Sequence, residues 1–247
     1  MSEESDGVSP HGAGDGSAAA TRADKLLQVI CHDLRSPLSS IVMGADFLRK
    51  SLAKQEAFGP EKRILESMVR SANRLTSLIA DLHDVAHIGT GQFSVEKVPR
   101  DVGALMTTAS EKYGSVGASR GVKLEVAPVA DATSVECDHD RVLQALGELV
   151  ENGARYAPAN GSIRLGFEVA GDQAIFSVTD DGSGMSDERA AHAFDHSWHA
   201  SQSPRDGTGL GLTLVRGIAN AHGGDANVET QVGRGTRVSF WLPRTAS

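Results

Sequence analysis

Apolar residues recur at helical spacing over the first third of the chain. They step by three and four residues in two interleaved heptad series, one comprising Leu27, Leu34, Ile41 and Leu48 and the other Cys31, Leu38, Ala45 and Leu52. This two-position seam is typical of a helix packed as in a coiled coil.

A second seam follows the helix-breaking sequence Phe58-Gly59-Pro60. Its positions again step by three and four residues: Leu65, Met68, Ala72, Leu75, Ile79, Leu82 and Ala86. The two seams together predict a helical hairpin of about thirty residues per arm. Because two helices alone leave much apolar surface in water, we expect two copies to pair into a four-helix bundle, which makes the all-α hairpin a homodimerisation element.

After Gly91 the pattern changes to a mixture of helices and strands. Helices are predicted over residues 101–118 and 139–156 and from about Gly211. Strands are predicted at Val122–Val126, in a hairpin of Ser162–Val169 with Ala174–Thr179, and in a last hairpin of Asn227–Val232 with Thr236–Leu242. This mixture predicts an α/β sandwich, in which helices cover one face of a sheet.

These changes of pattern divide the chain into three segments. Residues 1–22 are rich in Gly, Ser, Ala and Asp and carry almost nothing apolar, which predicts a disordered acidic tail. Residues 23–95 are expected to form the helical domain and residues 96–247 the α/β domain. Because the tail is too short for a sensory domain, we expect a separate input protein to supply any signal.

Composition and charge narrow the function. The formal net charge of −8 argues against nucleic acid as a partner, because a binder of phosphate backbones needs the opposite sign. No apolar run approaches the roughly twenty residues of a membrane span, and the first residues lack the features of a signal peptide. The two cysteines lie far apart without metal-ligand spacing. We therefore expect a cytoplasmic protein.

The first candidate for chemistry is His32, which directly follows a seam position and so faces outward. Pro37 removes a helical hydrogen bond and is expected to kink the helix beside it. An imidazole can act as a nucleophile at neutral pH, and the adjacent Asp33 can hold its tautomer or take its proton. Ser36 lies one turn further on the same face. Taken alone, this pattern also fits an ordinary solvated helix face.

A second candidate lies on the predicted helix 139–156. Glu148, Asn152, Arg155 and Tyr156 fall on one side of it. They offer a carboxylate, an amide oxygen suited to Mg²⁺, a cation for phosphate and an aromatic plane for a base. An ordinary polar helix face remains the alternative for this pattern.

Two glycine-rich turns complete the set. The first is Asp180-Asp181-Gly182-Ser183-Gly184 at the end of a strand, where a carboxylate can accept a hydrogen bond from the amino group of adenine. The second opens a helix and consists of Gly207, Thr208, Gly209, Leu210 and Gly211. Its glycines let backbone amides approach a polyphosphate at a helix N-terminus.

In this order, the four patterns resemble the H, N, G1 and G2 boxes of bacterial sensor histidine kinases. The resemblance spans roughly Lys25 to Pro243 and implies a dimerisation and phosphoacceptor domain followed by a Bergerat-fold ATP-binding domain. It implies that His32 is the phosphoacceptor beside the acidic Asp33, and that Glu148 is the base that deprotonates it. It also implies Mg²⁺-ATP as the substrate and the receiver domain of a response regulator as the partner.

The same resemblance assigns the nucleotide site. Asn152 resembles the Mg²⁺ ligand, Arg155 a phosphate contact, Tyr156 the ring that stacks on adenine and Asp180 the adenine selector. The residues that resemble those shaping the pocket and its lid are Gly182, Gly184, Gly207, Thr208, Gly209, Leu210 and Gly211. Ser36 stands where the family has a residue that orients water, so we also expect phosphatase activity toward the regulator.

One departure from the family pattern leaves alternatives open. Ser197 stands where the F box usually has a second phenylalanine, so the chain could instead be a dimeric phosphotransfer or docking scaffold with a degenerate ATP site. A Bergerat-fold serine kinase acting on a protein regulator is the other alternative. Such kinases lack a histidine-bearing hairpin, so His32 in its heptad context argues against that reading.

Overall fold

A computed structural model describes residues 38, 39, 41–50, 59–129, 133–195 and 209–244. The chain divides into two compact units, Met1–Gln92 and Phe93–Ser247. The expected boundary between residues 95 and 96 falls near the start of the second unit. The predicted tail lies outside the described residues, and so do His32, Asp33, Ser36, Gly207 and Thr208.

The first unit is helical in its described part up to Gly89. Residues 41–50 are helical, and helix α1 runs over Gly59–Gly89. Leu38, Ala72 and Ile79 form a buried cluster that joins the two arms. The other buried seam positions are Ala45, Leu65 and Ala86, whereas Ile41, Leu48, Met68 and Leu75 are exposed. The hairpin thus buries one part of its heptad pattern and leaves another part on its surface.

The second unit contains four helices and seven strands among its described residues. The helices are α2 (Val102–Ala118), α3 (His139–Tyr156), α4 (Asp187–Ala191) and α5 (Leu210–His222). The strands are β1 (Val98–Asp101), β2 (Lys123–Val126), β3 (Ser134–Cys137), β4 (Ser162–Ala170), β5 (Gln173–Asp180), β6 (Asp225–Thr230) and β7 (Thr236–Pro243).

Five strands form one sheet in the order β2-β4-β5-β7-β6, and β1 pairs with β3 in a separate two-stranded sheet. Only β2 and β4 run parallel; the other neighbours are antiparallel. Helix α3 packs between α2 and α5, and it also contacts β4 and β5. The core between helices and sheet is closed by large apolar side chains, including Leu146, Leu149, Phe176, Ile218 and Phe240.

The predicted order of a helical region and an α/β sandwich is confirmed. Helices α2 and α3 match the predicted ranges within one residue, and both predicted hairpins form. In the described part of the chain, no helix combines the length and apolar character needed to cross a bilayer.

Candidate functional site

A pocket of the second unit gathers most of the described residues that the sequence singles out. It lies between helix α3, the end of β5 and the start of α5. Its lining includes Glu148, Asn152, Arg155, Tyr156, Asp180, Gly184, Gly209 and Gly211. Val178 and Val238 of the sheet and Leu149 of α3 form its apolar part. The pocket therefore joins an apolar floor to a polar, partly charged rim.

Asp180 supplies a buried carboxylate at the sheet end of the pocket. Its Oδ1 accepts a hydrogen bond from the backbone N–H of Gly182 at 2.9 Å. Burial raises the pKa of Asp180 above its usual value, while hydrogen bonds from the N–H groups of Gly182 and Thr236 oppose that rise. A buried carboxylate held in place by backbone donors makes a fixed acceptor for a ligand N–H group.

Glu148 and Asn152 stand one turn apart on α3, where the start of α5 approaches closely. A Cβ added to Gly211 would overlap the Glu148 carboxylate and lie 3.6 Å from Asn152 Nδ2. Glycine at this position therefore lets the backbone of α5 reach the polar face of α3. This contact brings together the carboxylate, the amide and a helix N-terminus, which suits a phosphate group and a hard cation.

Gly184 shapes the turn after β5. Its φ is +63°, in the left-handed region that favours glycine, and a Cβ there would overlap the carbonyl oxygen of Gln231. The backbone carbonyl oxygen of Ser183 accepts a hydrogen bond of 2.7 Å from the backbone N–H of Gly233. This bond connects the same turn to the loop between β6 and β7. The turn is thus packed against the loop that joins β6 to β7.

Two residues that the sequence assigns to the site do not line the pocket. Gly182 is buried and its N–H donates a hydrogen bond to Asp180. Leu210, the first residue of α5, is 6% exposed. Gly207 and Thr208 lie outside the described residues.

The pocket also contains residues that sequence reasoning missed: Ser183, Met185, Arg189, Ala193, Leu212 and Thr236. Thr236 reaches the site because it pairs with Asp180 across β5 and β7. The closing hairpin was predicted, so this pairing could have been found by aligning its strand against β5. Met185 and Ala193 lie outside the short helix that carries Arg189, so no helical spacing in the sequence places these three residues on one wall.

The metal expectation rests on Asn152. Among the described residues, no group of three or more histidine, cysteine, aspartate or glutamate side chains is arranged to hold a metal ion. The amide oxygen of Asn152 fits a cation such as Mg²⁺, which keeps several waters and takes its other ligands from substrate phosphates.

Two family models match the chain. The model described as the His Kinase A (phospho-acceptor) domain covers residues 22–91. The model described as the histidine kinase-, DNA gyrase B-, and HSP90-like ATPase covers residues 137–246. The second match includes every described residue of the pocket.

Curated proteins similar to this chain are named as a sensory kinase and a sensor protein. Adaptive-response sensory kinase SasA of Synechococcus sp. (strain JA-2-3B'a(2-13)) is 27% identical over 222 residues, a match that covers 89% of this chain and 59% of that protein. Alginate biosynthesis sensor protein KinB of Pseudomonas aeruginosa is 28% identical over 212 residues, covering 86% of this chain and 35% of that protein. The chain therefore spans only part of the length of these relatives.

A solved structure shares the fold. Full-length ShkA in complex with AMPPNP matches with a TM-score of 0.73 at 23% sequence identity, and the match covers 91% of this chain and 46% of that chain.

Proposed function

The chain belongs to the histidine kinase family, and from this membership we propose that it is an ATP-dependent protein-histidine kinase. In this reaction His32 attacks the γ-phosphorus of ATP, the bond to the β–γ bridging oxygen breaks, and ADP leaves. The phosphoryl group then passes from His32 to an aspartate of a separate response regulator. The observation that carries the proposal is the pocket, where Asn152, Asp180 and Gly211 meet as a nucleotide site requires.

The pocket suits ATP at both of its ends. Asp180 presents a buried acceptor to the amino group of adenine, and the ring of Tyr156, 40% exposed at the rim, offers a plane for the base. Glycine at position 211 leaves the start of α5 without a side chain at this point, so that its backbone N–H groups can approach phosphates. AMPPNP is an analogue of ATP, so its complex with ShkA supports adenosine triphosphate as the ligand of this fold.

We assign the polar face of α3 to the phosphates and the metal. Asn152 is the proposed Mg²⁺ ligand, Arg155 a phosphate contact and Glu148 the base that takes the proton of His32. Bound Mg²⁺ would neutralise charge that develops on the transferring group, whereas the protein residues hold the nucleotide in position.

The helical hairpin offers a surface for the response regulator. Met43 and Phe47 are 69% and 73% exposed, although they are large and apolar. At helical spacing they lie opposite the buried positions Leu38 and Ala45, and the same spacing extended along the sequence predicts His32 on their side. Exposed apolar side chains beside a phosphoacceptor fit a docking surface for a receiver domain.

Two further assignments follow from the family. The exposed seam of the hairpin is the proposed homodimer interface, and Ser36 is proposed to orient water for dephosphorylation of the regulator. We place the kinase in the cytoplasm, because it consumes ATP and keeps Cys137 as a free buried thiol.

The test is labelling with ATP that carries an isotope in its γ-phosphate, in the presence of Mg²⁺. Wild-type protein should take up label that is labile in acid and stable in base, as a phosphoramidate is. His32→Gln should bind ATP without being labelled, and Asn152→Ala should lose the Mg²⁺-dependent part of ATP binding.

Other outcomes identify the alternatives. Acid-stable label, or label that persists in His32→Gln, would indicate a serine kinase. A chain that folds and dimerises but fails to bind ATP would be a scaffold with a degenerate nucleotide site.

A further inference from the structure

Arg189 is a pocket residue to which none of the four sequence patterns assigns a role. It lies on the short helix α4, and the pocket lining includes it together with Met185 and Ala193, four residues before and after it. Ala193 is 1% exposed, whereas Arg189 itself is exposed. The wall therefore has an apolar inner part and a cation at its outer edge.

The balance of charges in the pocket lining indicates what Arg189 binds. Its described lining contains two carboxylates, Glu148 and Asp180, and two guanidinium groups, Arg155 and Arg189. Arg155 stands in the last turn of α3, and α4 belongs to the connection between β5 and α5, so the two cations approach the pocket from different elements. A nucleoside triphosphate remains negatively charged even with one Mg²⁺ bound. A single arginine would leave the side chains of this pocket with a net negative charge.

The chemistry of the Arg189 side chain favours phosphate over the base as its target. Asp180 already marks the base end of the pocket, and the apolar side chains of Met185 and Ala193 suit contact with a base. A guanidinium at the exposed edge can reach outward along the ligand, and its planar fork matches phosphate oxygens. We propose that Arg189 binds the phosphate chain of the nucleotide and makes the site selective for adenosine di- and triphosphates over adenosine. This inference rests on the proposed nucleotide-binding function.

The experiment compares the affinities of adenosine, ADP and ATP, each with Mg²⁺, for the full chain by calorimetry. Arg189→Gln should weaken ADP and ATP by about three- to tenfold, the range expected for a charge-assisted contact at a solvent-exposed rim, and leave adenosine unchanged. Arg189→Lys keeps the charge and should recover part of the loss.

Glu188→Gln provides the matched control. Glu188 is exposed on the same helix and does not line the pocket. This variant changes the charge by one unit in the opposite direction, and a residue that does not touch the nucleotide should keep all three affinities within about twofold of wild type.

Two results would overturn the inference. Equal weakening of all three ligands in Arg189→Gln would mean that the arginine stacks on the base or supports the pocket wall. No change in any affinity would mean that it does not touch the nucleotide. Failure of the proposed nucleotide-binding function is distinguishable from both, because wild-type protein would then bind neither ADP nor ATP.

Discussion

At Gly184 and Gly211 the same substitution, glycine to alanine, meets two different obstacles. At Gly184 a methyl group would collide with the backbone carbonyl of Gln231, at a φ of +63° that alanine rarely adopts. At Gly211 it would meet only the end of the Glu148 side chain, which can rotate away. We therefore expect Gly184→Ala to lower the free energy of unfolding by about 2–4 kcal/mol, and Gly211→Ala to lower it by about 1 kcal/mol or less.

Urea denaturation monitored by circular dichroism measures both changes. Because Gly211→Ala displaces the proposed base, its labelling by ATP should fall severalfold although its fold is nearly as stable as wild type. A large loss of stability in Gly211→Ala would show that Glu148 cannot move and that the contact between α3 and α5 is rigid.

His222 joins three elements of the second unit at the end of α5. Its ring is 2% exposed, its Nδ1 lies 2.8 Å from the Ile218 carbonyl oxygen, and its Nε2 accepts a hydrogen bond of 3.0 Å from the Asp138 N–H. Lys97 Nζ donates a hydrogen bond to the His222 carbonyl oxygen at 2.8 Å. With one nitrogen donating and the other accepting, the imidazole is held neutral.

This arrangement predicts how stability depends on pH. Burial lowers the pKa of His222 below its ordinary value of 6.5. The unfolded chain therefore binds more protons than the folded chain between the two pKa values, and the contribution of His222 is present above pH 6.5 and lost as pH falls below it. His222→Gln keeps a neutral donor and acceptor. Its free energy of unfolding should fall less than that of wild type between pH 7 and pH 5, as measured in urea.

Parallel pH dependence of the two proteins would contradict the neutral state of the ring. The carboxylates of the chain titrate in both proteins, so the difference between them isolates the contribution of His222.

The elements that the sequence predicts well are those with long, regular patterns. Helices α2 and α3 and the hairpins of the sheet were predicted within a few residues, because each carries its own periodicity. Strands β1 and β3 were missed, since each has four residues and is defined only by pairing with the other. Local sequence does not show a pairing between segments more than thirty residues apart.

The residues of the candidate site divide in the same way, into those that local sequence predicts and those that only the tertiary structure brings together. Asn152 and Asp180 were predicted as site residues because each belongs to a motif that lies within one helix or at one strand end, so its chemistry can be inferred from local sequence. Arg189 and Thr236 were missed because they enter the pocket through tertiary structure, one from a five-residue helix and the other through the register of β5 with β7. Gly182 was placed in the pocket, but its N–H is directed at Asp180 and it lines no part of it.

For the whole molecule, the pattern of exposure in the hairpin distinguishes two surfaces, one that continues the heptad seam and one that lies outside it. Ile41, Leu48, Met68 and Leu75 are each between 47% and 53% exposed and continue the predicted seam. Met43 and Phe47 are more exposed and lie on a different face of their helix. We assign the first surface to the stable homodimer and the second to transient binding of the response regulator.

This separation predicts opposite results for two charge substitutions. Leu75→Glu places a carboxylate in the proposed dimer seam, where it loses the burial of a leucine, about 1.5–3 kcal/mol per protomer, and adds the desolvation of a charge. Because both protomers change, the dimer dissociation constant should rise at least about a hundredfold. Light scattering coupled to gel filtration should then find a monomer where wild type is a dimer. Met43→Glu should leave the dimer and its labelling by ATP intact, while transfer to the response regulator slows. Dissociation caused by Met43→Glu, or a stable dimer of Leu75→Glu, would mean that the two copies meet through the outer face and that the regulator must dock elsewhere.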